Sequence, residues 1–160
     1  KKIENLKEIL WATGQVADYR ELVGQLKTEE AKEKLLEEMT KRFSRDGRNR
    51  ELFRIYRGED YKERILELIE RHPETESFLE MTRFIQKDFP NQSFRAYQNK
   101  ITKMLAVSQA KDYPEIVFHL KIMASLRLVE EFKKLLGWIR ETYPRRRNLM
   151  NDLNELEQLT

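Results

Sequence analysis

The sequence predicts an all-α fold, an irregular array of antiparallel helical hairpins, and three observations carry that expectation. Apolar residues recur at helical spacing along most of the chain. Five Gly leave few positions for the positive-φ turns of tight hairpins and four Pro add little turn punctuation, which disfavours a many-stranded sheet. Charged residues make up 37% of the chain against 39% hydrophobic, and both signs are interleaved, as amphipathic helices require. A chain of 160 residues is sized for one helical domain over 1–160, large enough to bury a core without disulfides or metals.

Taken in order, Ala31, Leu35, Leu36, Met39 and Phe43 mark an early helix, and Leu52, Phe53, Ile55 and Tyr56 read as core of the next segment. Tyr61, Ile65, Leu68 and Ile69 form a further stripe, and Phe78, Thr82, Ile85 and Phe89 another. Phe94, Tyr97, Ile101, Leu105 and Ser108 follow the same spacing. Ile116, Leu120 and Met123 make the next stripe. Val129 to Tyr143 is the clearest helix, with Phe132, Leu135, Leu136, Ile139 and Tyr143 on one face and Glu131, Lys133, Lys134 and Arg140 elsewhere. Leu149, Leu153 and Leu156 mark the last.

Punctuation supports these boundaries. Asp60 with Glu63 and Asp112 with Glu115 have the N-cap and N3 spacing at which carboxylates satisfy free backbone amides. Pro114 suits the first turn of a helix, where no amide proton is needed. Pro73, Pro90 and Pro144 predict stops at His72, Phe89 and Tyr143, because proline disfavours helical geometry in the residue before it. Gly47 and Gly58 suit two further ends or turns. Apolar pairs precede each stop: Leu68-Ile69, Phe84-Ile85 and Trp138-Ile139. A degenerate unit of helix, turn, helix and Pro would span roughly 30 to 40 residues, the scale of tetratricopeptide-like repeats and other α-solenoids. The intervals between the prolines are unequal and only seven Ala are present, so an irregular helical bundle stands as the alternative architecture.

Composition also bounds function. Without Cys there is no thiolate nucleophile, zinc finger or iron–sulfur cluster, and a reducing compartment is compatible, so the cytoplasm is the expected location. Runs such as Met104-Leu105-Ala106-Val107 fall far short of the ~20 apolar residues of a membrane span. The chain opens on Lys1-Lys2 with neither an initiating Met nor a signal-peptide pattern, which predicts a piece of a longer protein.

Three features are candidate sites. Lys41, Arg42, Arg45, Arg48, Arg50, Arg54 and Arg57 put seven cations within 17 residues, opposed by Asp46 and Glu51. Around a turn they could grip phosphates, with Phe53 and Tyr56 as stacking surfaces; a solvated face over a core of those same aromatics is the plainer alternative. The whole chain is only mildly basic, at a formal net charge of +3. Arg145, Arg146 and Arg147 gather where the last helix begins, like charge against the positive end of a dipole, an arrangement that a partner anion or salt bridges to Glu141 or Asp152 would relieve. Trp138 follows Gly137, about 100° off the centre of its stripe, and suits either a neighbouring-helix contact or a partner groove. His119 lies four residues after Glu115, a pair that could share a metal or proton, yet His72 is the only other His and no further ligand is spaced to complete a site. With no Gly-rich phosphate loop, Gly-x-Ser-x-Gly elbow or His-Glu-x-x-His motif, neither an enzyme nor a cofactor is expected.

From Asp112 to Leu159 the chain resembles the helical C-terminal tails of bacterial SWIM zinc-finger proteins. The similarity runs through Tyr113 opening a helix, Phe132 with Leu135-Leu136, Ile139-Arg140, and Arg146-Arg147 before Leu149 and Leu153. The resemblance implies a helical accessory region beside a zinc module that binds DNA or protein; the family's zinc ligands have no counterpart here and no functional residue carries over. The expectation is a non-catalytic helical-repeat interaction module that binds a protein partner or supports a neighbouring domain, with nucleic acid through the basic clusters as the alternative. No membrane or small-molecule partner is expected.

Overall fold

A computed structural model describes residues 1–159, and among them the chain is all-α, with ten helices, one 3-10 turn and no strand. The helices are α1 (Lys2–Thr13), α2 (Val16–Gln25), α3 (Glu29–Arg45), α4 (Asn49–Gly58), α5 (Lys62–Arg71), α6 (Phe78–Ile85), α7 (Pro90–Val107), α8 (Tyr113–Ser125), α9 (Val129–Thr142) and α10 (Arg147–Glu157), with the 3-10 turn at Ala110–Asp112. They pack as neighbouring pairs in a helical array. The contacts divide what the sequence suggests is one domain into two compact units, Lys1–Phe84 and the residues from Ile85 on.

In the first unit α1 packs on α2, α3 on α4, α4 on α5, and α2 also meets α4. Leu10, Leu22, Met39, Phe43, Leu52, Ile55 and Ile65 are fully buried along these faces. Trp11 meets Phe43 edge to face at 5.9 Å, tying α1 to α3. The second hairpin follows the first at a constant interval. Met39 and Phe43 succeed Leu6 and Leu10, Leu52 and Ile55 succeed Tyr19 and Leu22, and Gly47 succeeds Gly14, each at the same distance along the chain. Both glycines hold left-handed backbone, φ +62° at Gly14 and +72° at Gly47, where each hairpin reverses direction.

In the second unit α8 packs on α7, α9 and α10, and α9 on α10. Its core runs through Phe94, Tyr97, Ile101 and Leu105, then Ile116, Leu120 and Met123, then Phe132, Leu135, Leu136 and Ile139, and closes with Leu149, Leu153 and Leu156. Arg140 reaches across from α9 to Glu157 at 2.9 Å and Asn154 at 3.0 Å, which fixes the register of the last pair.

Several local expectations need correction. Asp60 is not an N-cap: it holds left-handed backbone at φ +60°, and Tyr61 precedes α5 with no side-chain cap. Asp112 does precede α8, but its carboxylate accepts the Gln109 backbone N–H at 2.7 Å and closes the 3-10 turn instead. Pro90 begins α7 and does not end α6, which stops at Ile85; proline's missing N–H costs nothing at the first helical position. Phe89 is therefore the residue before a helix start. The side-chain cap of α3 is Thr28, absent from the sequence expectations, whose hydroxyl accepts the Ala31 N–H at 3.1 Å. Residues 2–25, where α1 and α2 lie, show no clear apolar stripe in the sequence. Ile3 and Ile9 on α1 are exposed and blur the apolar face, and only Tyr19 and Leu22 are buried on α2.

Candidate interaction groove

The basic residues separate into two kinds once they are placed. An α-helix leaves its last carbonyls without intrahelical donors and carries partial negative charge at that end. Arg48, half-buried, donates to the Trp11 carbonyl and, at 3.5 Å, to that of Ala12, so it closes the C-terminal end of α1. The same guanidinium lies 4.6 Å over Phe43 and 3.7 Å from Glu51. Arg146 does the corresponding work in the second unit, donating to the Leu105 carbonyl at 3.0 Å and the Ser108 hydroxyl at 2.7 Å at the end of α7. Its guanidinium also stacks 4.1 Å from the Tyr143 ring. Arg20 acts likewise on α4, through the Gly58 carbonyl at 3.0 Å and Glu59 at 2.6 Å.

This arrangement resolves the conflict at the start of α10. The positive end of that helix meets Arg146, but the cation is satisfied by the negative end of α7 and not by Glu141 or Asp152. Arg145 and Arg147 are exposed. In the first cluster, Arg42 lies 5.1 Å over Trp11, Arg45 pairs with Asp46 at 3.2 Å, and Arg57 sits 5.8 Å over Phe84. Lys41, Arg50 and Arg54 are exposed and pair with no described residue. Arg50, Arg54 and Arg57 share one exposed face of α4 at the i, i+4, i+7 spacing. Phe53 and Tyr56 are buried and offer no stacking surface. The two basic clusters belong to different units.

His119 is buried, and its Nδ1–H donates to the Glu115 backbone carbonyl at 2.8 Å, so it is Glu115's backbone and not its carboxylate that engages the imidazole. Among the described residues no group of three or more His, Asp and Glu could hold a metal ion. No helix among them is long and apolar enough to cross a membrane. Burial pushes the Tyr19 phenol far above its usual value, reinforced by the Tyr61 hydroxyl 3.1 Å away, and burial also raises Tyr56. These two phenols are held as neutral hydrogen-bonding groups of the core.

Trp138 is 39% exposed on α9, at the rim of a groove of about 430 Å³ formed by α7 and α9. Phe94 and Leu135, both buried, form the apolar floor. From α7, Asn91, Arg95 and Gln98 stand along one face; from α9, Glu131 and Lys134 stand opposite. Tyr143 holds the indole edge-on at 6.1 Å and is itself covered by Arg146. The rim aromatic is thus clamped in place while its outer face meets solvent. The side chains of Asn91, Arg95, Gln98 and Lys134 bond to no described residue. A second hollow of about 550 Å³ lies at the α8–α9 turn beside Arg127, lined by Phe132 and Leu159, but Phe132 is fully covered and no exposed aromatic marks its rim.

Of these lining residues only Trp138 stands out in the sequence as a site candidate. Asn91, Arg95 and Gln98 carry a signal, the polar side of the Phe94 stripe at helical spacing, but nothing in the pattern says that α9 lies opposite. The fold and the groove together define an all-helical array of hairpins with a partly apolar, partly cationic cleft in its second unit. No protein-family model matches the chain, and no curated protein or solved structure matches it either.

Proposed function

We propose that this chain is a non-catalytic helical-repeat module that binds a segment of a protein partner in the α7–α9 groove. The observation that carries the reading is Trp138, a large aromatic held by Tyr143 yet 39% exposed above an apolar floor. Aromatic side chains with one free face over a concave, partly apolar surface are the usual anchors of interface cores. The constant interval between the first two hairpins supports the repeat reading, since stacked hairpins bury one face each and leave another for recognition. The test is selection of a random twelve-residue peptide library on the immobilised full chain, in parallel with Trp138→Ala. Sequences enriched on the native chain and lost on the variant are expected. No enrichment, or equal enrichment on both, overturns the reading.

A second reading rests on the exposed stripe of Arg50, Arg54 and Arg57 with the unpaired Lys41, which suits a phosphate backbone. It requires affinity for generic duplex DNA that falls steeply with salt and disappears on changing Arg50, Arg54 and Arg57 to Glu. Salt-independent or absent binding removes it.

A further inference from the structure

We infer that the segment bound in the α7–α9 groove is an extended peptide that places acidic side chains beside a bulky apolar one, an inference that rests on the groove reading above. Charge complementarity selects this occupant. Arg95 and Lys134 face the groove from opposite walls with no acidic partner among the described residues. Glu131 also faces it, but Glu131 lies in the first turn of α9, where the helix's own positive end offsets its charge. Arg95 and Lys134 lie in the interior of their helices, where no such compensation reaches them. With Arg95 and Lys134 against the single Glu131, the groove therefore presents a net positive charge beside an indole, and carboxylates on the occupant can satisfy its cations through charge-assisted hydrogen bonds.

The remaining lining residues fit an extended backbone. Asn91 and Gln98 stand two helical turns apart on the same face of α7, and each carboxamide offers both a donor and an acceptor, as a peptide unit requires. An extended chain advances about 3.3 Å per residue, so three or four residues span the ~10 Å between those positions. Its apolar side chain packs on Phe94, Leu135 and the free face of Trp138. A basic segment would set like charges against Arg95 and Lys134, and a purely apolar one would leave both cations desolvated and unpaired.

The peptides recovered from the twelve-residue library on the full chain supply the test. Their dissociation constants are measured by fluorescence anisotropy at low and high salt against the native chain, Trp138→Ala and the double variant Arg95→Glu/Lys134→Glu. Helicity by circular dichroism reports that each variant is folded; all three altered positions are exposed on their helices. The recovered sequences are expected to carry Asp or Glu within two residues of Leu, Phe or Trp. The double variant should weaken binding by about tenfold or more, and exchange of the peptide's Asp and Glu for Asn and Gln should weaken it similarly. Neutral or basic peptides that bind the double variant as well as the native chain, yet are lost on Trp138→Ala, overturn the acidic specificity and leave the groove standing. Peptides insensitive to Trp138→Ala, or none at all, overturn both.

Discussion

Replacing Arg48 with Met separates the structural cations of the basic cluster from the free ones. Met retains most of the aliphatic stem over Phe43 and removes the guanidinium that closes α1. Hydrogen bonds from a charged donor contribute about 1.5–3 kcal/mol, a cation at a helix C-terminus about 0.3–1, and a cation over an aromatic face about 0.5–1. These contributions share one group and overlap, and the side chain is 26% exposed, which screens part of the charge. The net loss is then about 2 kcal/mol. At a urea m-value of about 1–2 kcal/mol/M, the midpoint falls by roughly 1–2 M. The assay is urea unfolding followed by Trp11 fluorescence in a Trp138→Phe background, so that the emission reports the first unit alone. Arg50→Met and Arg54→Met, which remove exposed cations without partners, should each stay within about 0.5 kcal/mol of the parent. Equal losses at Arg48 and Arg50, or no loss at Arg48, would refute the assignment of Arg48 to the end of α1.

Gly14→Ala forces a left-handed residue to carry a Cβ placed 2.9 Å from Glu51 Cβ and Cγ, so it should cost about 2 kcal/mol or more, whereas Gly47→Ala, with the same backbone and open space, should cost only about 1. Urea midpoints decide it, and equal losses at the two sites would mean that the close approach at Gly14 is relieved freely. Folding holds Tyr19 and Tyr56 protonated above their usual value of 10.0, so the stabilisation they contribute is complete below pH 10 and declines as pH rises beyond it. Phenolate absorbance should show delayed groups that ionise only as the fold is lost, reduced in number by Tyr19→Phe; a single ordinary transition near pH 10 for all six tyrosines would contradict their burial. Trp138→Ala should lower stability by about 2 kcal/mol, less than the roughly 3–5 of a fully buried aromatic, because the indole is already 39% exposed; a loss of about 4 kcal/mol or more in calorimetry would make it a core residue.

Most helices from α3 onward were legible because each carries an apolar stripe at helical spacing, as Leu35, Met39 and Phe43 do on α3 and Phe132, Leu135 and Ile139 on α9, whereas on α4 only the core character of Leu52, Phe53, Ile55 and Tyr56 could be read. Local periodicity and proline geometry act within a few residues, so an amino-acid sequence displays them directly. Caps were less legible. Asp60 and Asp112 have the spacing of N-caps, but a carboxylate can bond locally in several turn geometries, and only the backbone path selects among them. The basic clusters illustrate the larger gap. Arg48 and Arg50 are chemically alike and two positions apart, yet one faces the end of α1 and the other faces solvent.

Composition and periodicity by themselves determined the all-helical class, the positions of most core residues and the oddly placed Trp138. Tertiary packing alone decided that Arg48 and Arg146 close helix ends, that the contacts fall into two units, and that Asn91, Arg95 and Gln98 share a groove with Lys134 and Trp138. The physical reason is that a helix displays its own faces in its sequence, whereas a groove or a capped carbonyl joins residues of separate helices, and their meeting depends on how the hairpins pack.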